Sequence, residues 1–159
     1  MQITSKFTIA IHILAAIDTF HGHVNVNSKL LSQSIGANPV IVRGVMSDLK
    51  KAGIIMSHRG KNDVTIEKPL DQVSFYDIYQ AVNANDKDLF HFHENPNPQC
   101  PVGRNIHKVL DGQLQQVQRD FEDELKSYKV SDVIHNLHIV LNHEKQSLQA
   151  LPSMKAFFY

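Results

Sequence analysis

Several side chains in one short part of the sequence are of the types that contact nucleic acids. The candidates, in chain order, are Ser28, Asn38, Pro39, Val40, Arg43, Ser47, Lys50, Arg59 and Lys61. Arginine can donate two hydrogen bonds to one guanine, but it also pairs with phosphates, which carry no sequence information. Arg43 therefore has three interpretations, which are reading a base, contacting a phosphate and forming a surface salt bridge. Whether double-stranded DNA is the partner of this surface depends on the elements that position these side chains.

The other polar candidates have simpler alternatives. Asn38 can accept a hydrogen bond as a helix cap, with or without a phosphate contact. Lys50 and Lys51 near a helix C-terminus interact favourably with the helix dipole, which favours a solvated or phosphate-facing position over base reading. Arg59 and Lys61 flank a glycine, and we expect them to contact the DNA backbone or the minor groove.

Cys100, the only cysteine of the chain, is a second candidate site. We expect it just before a helix N-terminus, with Arg104 four residues further on, and both features favour the thiolate that a redox sensor needs. The alternative is an inert thiol. Because the chain has no second cysteine, oxidation would end in a sulfenate, a mixed disulfide or a bond between two subunits.

Metal binding and catalysis have weaker signals. His91 and His93 precede Cys100, and the three side chains could chemically bind zinc. Their spacing is not that of a familiar structural site, however, so we interpret the histidines as surface residues and expect no metal. The sequence has no phosphate loop, nucleophile elbow or paired-carboxylate signature, so we do not expect an enzyme.

Two short helices joined by a tight turn would position the basic side chains. We expect them over residues 28–35 and 39–52, where apolar residues recur at helical spacing. The boundaries depend on cap and stop residues, which are Asn27 or Ser28, Gly36, Asn38, Pro39 and Gly53. The buried stripe of the second helix consists of Val42, Val45, Met46 and Leu49. This arrangement predicts a helix-turn-helix whose second helix enters a major groove.

A β-hairpin with a basic tip follows the two helices. Residues 54–57 and 64–66 have the composition of short strands, and residues 58–63 form the tip between them. A hairpin in this place makes the unit a winged helix-turn-helix. The alternative is an ordinary pair of helices with a hairpin packed on them.

Helices also flank this unit on both sides. We expect a first helix that Thr4 or Ser5 caps and that ends at about Phe20, and a helix after Ser74 that packs under the wing. Residues 83–99 have a loop composition, and a long helix follows over residues 104–128. Its apolar stripe is Leu110, Leu114, Val117, Phe121 and Leu125. This stripe would pack either on its own domain or on a twin helix in a dimer.

Composition limits the class of protein. The 159 residues contain 16 basic and 16 acidic side chains, so only a local basic face could attract DNA. A single cysteine indicates a reducing compartment. We find no signal peptide and no apolar run of the ~18 residues that a membrane span needs. We therefore predict a cytoplasmic protein without a membrane partner.

Five segments together resemble a known family of bacterial regulators. They are residues 7–15, the recognition-helix segment 38–43, residues 49–53 before the wing, residues 74–78 after it, and Cys100 ahead of a long helix. The pattern resembles the Rrf-two family of winged-helix transcriptional regulators, and residues 100–105 are similar to its YwnA-like branch. The resemblance covers residues 1–141. It implies a homodimer that binds a partly palindromic operator and represses transcription.

The sequence departs from that family in two places. Members that bind an iron–sulfur cluster carry three closely spaced cysteines before the dimerisation helix, whereas this chain has one. Thiolates are the usual ligands of such clusters, so we expect no cofactor. The wing of many members also has a Gly-Gly pair before a tyrosine, and here residues 59–63 differ from it.

We therefore predict a mainly α protein with a small β wing, divided into four parts. Residues 1–83 form the DNA-binding domain, 84–103 a loop or sensor segment, 104–145 the dimerisation helices and 146–159 a tail of unassigned role. The predicted function is a homodimeric repressor that responds to thiol oxidation at Cys100. Two alternatives stay open, which are a winged-helix protein-interaction module and a metal or redox protein built on Cys100, His91 and His93.

Overall fold

The computed structural model describes residues 5–86 and 88–148, and six α-helices and one two-stranded antiparallel sheet occur in these ranges. The helices are α1 (Lys6–Phe20), α2 (Ser28–Ile35), α3 (Pro39–Lys51), α4 (Phe75–Val82), α5 (Pro101–Ser127) and α6 (Val130–Leu148). The strands are β1 (Ile55–His58) and β2 (Asp63–Ile66), and a short 3-10 helix covers Leu70–Gln72. The mainly α class with a small β wing is confirmed. No helix in the described ranges is both long and apolar enough to cross a membrane.

Helix α1 is the centre of the core. It packs against α2, α3, α4 and α6. Because it has neighbours on several sides, its buried residues include Ile9, Ile13, Ala15 and Ala16. The prediction that Ser5 caps the helix is wrong, because Ser5 has a helical backbone conformation and its side chain makes no cap hydrogen bond. The Thr8 hydroxyl instead donates to the Ser5 carbonyl. Thr4 lies outside the described residues.

The predicted helix-turn-helix is confirmed, with its local caps. The Asn27 side chain accepts a hydrogen bond from the Leu30 amide at the start of α2, and Gly36 ends that helix with φ +71°. The Asn38 side chain accepts from the Val40 amide at the start of α3. All four residues of the predicted stripe are buried. Helix α3 ends at Lys51, one residue before the predicted end.

The wing is a hairpin whose strands are shifted slightly from the predicted ranges. Ile55 lies opposite Ile66, and His58 lies opposite Asp63. His58 and Asp63 therefore belong to the strands, and the tip is limited to residues 59–62. Gly60 has φ +78°, a conformation that glycine adopts without strain. The short tip holds two basic side chains at the end of a paired ladder.

Helix α4 follows Ser74 as predicted and begins with a capping box, in which Ser74 and Asp77 bond each other's backbone amides. Its predicted position under the wing is wrong, since its main packing partners are α1, α3 and α5. Aromatic contacts account for this position. The Phe75 ring lies 5.6 Å from the Phe7 ring of α1 and 5.5 Å from the Tyr128 ring, which follows α5.

Helices α5 and α6 extend from this body. Helix α5 begins at Pro101, three residues before the predicted start, because proline tolerates the first helical position. Helix α6 is attached at its start, where the Val130 amide donates to the Val73 carbonyl and Val130 is fully buried. It runs to Leu148, so the first residues of the predicted tail are helical. The rest of that tail, residues 149–159, lies outside the described part of the chain.

Candidate nucleic-acid interface and thiol site

A cleft of about 440 Å³ separates the helix-turn-helix from the wing. Its lining consists of Asn27, Ser28, Arg43, Met46, Ser47, Lys50, Ser57, His58, Gly60, Asn62, Asp63 and Val64. Four of the predicted site residues therefore meet here, namely Ser28, Arg43, Ser47 and Lys50. They come from α2 and α3, and the wing forms the opposite wall.

The N-terminal end of α3 projects beyond this cleft. Asn38 and Pro39 are exposed there, and Val40 has 67% of its surface exposed. Ile41 is 45% exposed. It was not among the predicted residues, although its position outside the buried stripe of α3 indicates an exposed side chain. Val40 lies three residues before Arg43 on the helix, and an exposed apolar side chain next to an arginine suits a major groove, because thymine presents a methyl group there.

The wing tip is exposed and tied to the segment before α2. Arg59 and Lys61 are exposed and do not line the cleft. The Asn25 side-chain amide donates to the Lys61 carbonyl over 3.2 Å. His58, which was not among the predicted residues, lines the cleft, and its Nε2 lies 2.8 Å from the Thr65 hydroxyl.

Asp63 places a carboxylate in the otherwise basic cleft. Its Oδ1 accepts a hydrogen bond from the Val26 amide over 2.8 Å. Arg43 and Lys50 line the same cleft. Asp63 was not among the predicted residues, because its partner lies 37 residues away along the chain.

Cys100 is exposed and lies immediately before α5. Hydrogen bonds from the backbone amides of Gly103 and, to a lesser extent, Val102 lower the pKa of its thiol. Arg104, which was predicted to favour the thiolate, does not contribute to this shift. The loop before the thiol closes tightly on the helix, since a Cβ on Gly103 would lie 2.5 Å from the Asn97 carbonyl oxygen.

The histidines near Cys100 in sequence have other neighbours in space. The His91 Nε2 lies 3.2 Å from an Asp86 carboxylate oxygen, and the His93 ring lies 5.2 Å from the His107 ring. In residues 5–86 and 88–148, no three His, Cys, Asp or Glu side chains are grouped closely enough to hold a metal ion. The geometry therefore does not assemble the alternative site of His91, His93 and Cys100.

The predicted stripe of α5 is divided between two surroundings. Phe121 packs on Tyr79 of α4 with the ring centres 5.6 Å apart, whereas Val117 is 47% exposed. The other three members, Leu110, Leu114 and Leu125, are partly buried. Two further valines of the helix are also exposed, Val102 by 70% and Val109 by 65%. One side of the stripe thus belongs to the protomer's own packing, and a second apolar side faces outward.

Comparisons with known proteins agree with this architecture. The chain is 39% identical over 136 residues to a Bacillus subtilis (strain 168) protein named "Putative HTH-type transcriptional regulator YwnA". This match covers 86% of this chain and 99% of that protein. A solved structure described as a "putative DNA binding protein" is 35% identical, with a TM-score of 0.66, over 82% of this chain and 99% of the other. A regulator structure from Lactobacillus plantarum is 25% identical, with a TM-score of 0.70, over 90% of this chain and 98% of the other.

The family comparison covers most of the chain. Residues 3–136 match the model of the Rrf2 family, which is described as "Iron-dependent Transcriptional regulator". This is the same family that the sequence resembles. The match includes the helix-turn-helix, the wing, all of α5 and the start of α6. The chain belongs to the Rrf2 family of transcriptional regulators and has its winged-helix fold.

Proposed function

We propose that the protein is a sequence-specific DNA-binding regulator that acts as a homodimeric repressor. The observation that carries this proposal is the convergence of Arg43, Ser47 and Lys50 of α3 with Ser28 of α2 and the wing around one cleft. Helix α3 would lie in the major groove, and the wing would reach the adjacent backbone or minor groove. The family resemblance implies a repressor. The physical mechanism would be that a dimer bound across a promoter obstructs transcription.

Within this interface, we assign different tasks to α3 and to the wing tip. Arg43 is exposed and lines the cleft with Met46 and Ser47, and the exposed Val40 lies three residues before it on the helix. Such a mixture of arginine and apolar groups can distinguish base pairs in the major groove. Lys61 at the wing tip is a flexible point charge, which suits a phosphate contact without sequence preference.

Two substitutions test this assignment. Arg43→Ala should weaken binding by on the order of 1–3 kcal/mol per half-site and relax the preference at one base pair. Lys61→Ala should weaken all sequences equally and reduce the salt dependence, because it removes one phosphate contact. The measurement is a titration of fragments selected from genomic DNA, with random DNA as the matched control, at several salt concentrations.

Other outcomes of this titration have definite meanings. Equal weakening of specific and random DNA by Arg43→Ala would make Arg43 a phosphate contact. A wild-type protein that binds neither DNA at low salt would contradict the proposed function and favour the protein-interaction alternative.

Dimerisation is supported by the exposed apolar side of α5. Val102, Val109 and Val117 recur at intervals of about two helical turns and therefore lie on neighbouring parts of one face. A twin helix could cover this face. Two recognition helices would then be held about one turn of DNA apart, roughly 34–36 Å, as a palindromic operator requires.

The residues do not fit the iron–sulfur chemistry found in part of the family. One cysteine per chain supplies too few thiolates for an ordinary cluster, and the described residues offer no compact group of other ligands around it. We infer that the protein works without a cluster. Protein purified without oxygen should lack an iron–sulfur absorbance band and stoichiometric iron, and a stable brown holoprotein would contradict this inference.

We also propose that Cys100 makes the regulator responsive to oxidants. Its exposure and the amide hydrogen bonds that lower its thiol pKa favour a reactive thiolate. An adduct there would crowd the start of α5 and could shift the proposed dimer helix, and with it the spacing of the recognition helices. This response depends on the dimer as well as on the thiol.

The rate of alkylation against pH should give a thiol pKa below the free value of about 8.5, and mild oxidation should lower operator affinity. Cys100→Ser is the control and should not respond. A free-thiol pKa together with an unchanged response in Cys100→Ser would contradict the sensor role.

A further inference from the structure

Three consecutive residues before α2 attach the wing to the helix-turn-helix. The Val26 amide donates to Asp63 Oδ1 over 2.8 Å, and the Val26 carbonyl accepts from the Val64 amide over 2.9 Å. The Asn25 side chain adds a hydrogen bond to the Lys61 carbonyl at the wing tip. The next residue, Asn27, is the cap of α2. The wing and the start of α2 are therefore connected through one short backbone segment.

The strands of the wing also bury Ile55 and Val64 in the hydrophobic core, and further hydrogen bonds hold the base of the wing. There the Ile54 amide donates to the Leu49 carbonyl of α3, and the Glu67 amide donates to the Ile54 carbonyl. These bonds hold the beginning of β1 and the end of β2, but they lie at the opposite end of the hairpin from the tip. A two-stranded hairpin is only marginally stable by itself, so hydrogen bonds near its tip add to what the core packing of its strands provides.

Asp63 has an electrostatic disadvantage where it lies. It lines the same cleft as Arg43 and Lys50, on the surface where the proposed function places DNA phosphates. A carboxylate in this position repels phosphate and weakens the local positive field. Its contribution must then come from the hydrogen bond that it accepts from the Val26 amide. A charged acceptor forms a stronger hydrogen bond than a neutral one.

We propose that Asp63 is a positioning residue that, together with Asn25, holds the wing tip in place for Arg59 and Lys61 to reach DNA. The proposal deepens the proposed function and rests on it for the DNA contact. The positioning itself is a property of the free protein. The two parts can therefore be tested separately.

The first test measures backbone amide hydrogen exchange of the free protein. Asp63→Ala should speed exchange of the Val26 and Val64 amides by about tenfold, the effect of one lost hydrogen bond. Asp63→Asn removes the same charge but keeps a neutral acceptor oxygen, so its exchange should be faster than that of the wild type and slower than that of Asp63→Ala. Unchanged exchange in Asp63→Ala, or equally fast exchange in Asp63→Asn, would overturn the proposal.

The second test measures affinity for a DNA fragment selected by the wild-type protein. Asp63→Asn should bind at least as tightly as the wild type, and Asp63→Ala should bind roughly tenfold more weakly than Asp63→Asn at equal charge. Lys61→Ala should also cost less affinity in the Asp63→Ala protein than in the wild type, because a displaced tip no longer makes its contact. An equal cost of Lys61→Ala in both proteins would overturn the proposal.

A further variant covers the case in which Asp63→Ala does not fold. Asn25→Ala changes an exposed side chain and removes its hydrogen bond to the Lys61 carbonyl. It leaves the Val26–Asp63 hydrogen bond in place. We expect it to reduce the cost of Lys61→Ala in the same way, and an unreduced cost would overturn the proposal. If exchange follows the expected pattern but the wild type binds no DNA, the positioning role is supported and the proposed function fails.

Discussion

The helix-turn-helix body and helix α5 use their apolar residues in opposite ways. In the body, Ile13, Leu31 and Leu49 are completely buried. In α5, none of the 27 residues is buried, and Val109 keeps 65% of its surface exposed. The body thus completes its own hydrophobic core. Helix α5 carries apolar surface that the described part of one chain does not cover.

The difference extends to how each region is held. Helix α3 packs against α1, α2, α4 and β1, whereas the main packing partner of α5 is α4. The contacts of α5 with the rest of the chain include the Phe121–Tyr79 ring pair and the hydrogen bond from the Leu89 amide to the Gln118 side chain. A long helix with so few internal contacts is expected to gain stability from association.

The largest expected effect is in the body. Leu49→Ala should lower the free energy of unfolding by about 2–5 kcal/mol, because it leaves a cavity in a closed core. Val109→Ala is the matched control in α5 and should change the stability of the dilute protein by less than about 0.5 kcal/mol. Urea denaturation at low protein concentration measures both. Similar costs for the two substitutions would mean that the regions do not differ as described.

The next effect concerns association. The wild-type mass in solution should be twice the 18.0 kDa of the chain. Val109→Asp combined with Val117→Asp should weaken the dimer at least a hundredfold, about 2.8 kcal/mol, because two charges would enter an apolar interface. These positions are sharper probes than Phe121, whose contact with Tyr79 belongs to the protomer's own fold.

Gln115→Asp serves as the control for this pair. It introduces an acidic side chain on another side of the same helix, and analytical ultracentrifugation should show an unchanged dimer. A dimer that survives the double substitution would place the interface elsewhere.

A smaller effect is expected at the junction between the two regions. Gly103→Ala should destabilise the protein by about 1–3 kcal/mol, since the added Cβ would clash with the Asn97 backbone. Gly112→Ala in the same helix meets no atom within 4 Å and should stabilise it by about 0.5–1 kcal/mol. Thermal unfolding of both variants measures the difference. A stabilising Gly103→Ala would show that the loop does not close on α5.

Local signals account for the parts of the fold that could be predicted. Asn27, Asn38 and the Ser74–Asp77 box make their cap hydrogen bonds within three residues, so sequence spacing alone identifies them. The buried stripe of α3 follows from helical periodicity in the same way. The position of α4 was predicted incorrectly, because its neighbours are chosen by packing between distant segments.

The candidate site shows the same division. Arg43, Ser47 and Lys50 could be predicted because they share one helix whose buried face is visible in the sequence. His58 and Asp63 were missed, since they enter the cleft only when the wing folds back against α2 and α3. Their importance comes from partners in other segments, and sequence periodicity carries no information about those partners.

The sequence by itself determined the caps of α3 and α4, the buried stripe of α3 and the single thiol, because each depends on residue type and on neighbours within one or two helical turns. Only the tertiary structure decided that the Val26 amide meets Asp63 and that Gly103 lies under Asn97. It also decided which side of α5 packs on Tyr79 and which stays exposed. Such contacts join separate segments of the chain, and their geometry exists only after the core around α1 has packed.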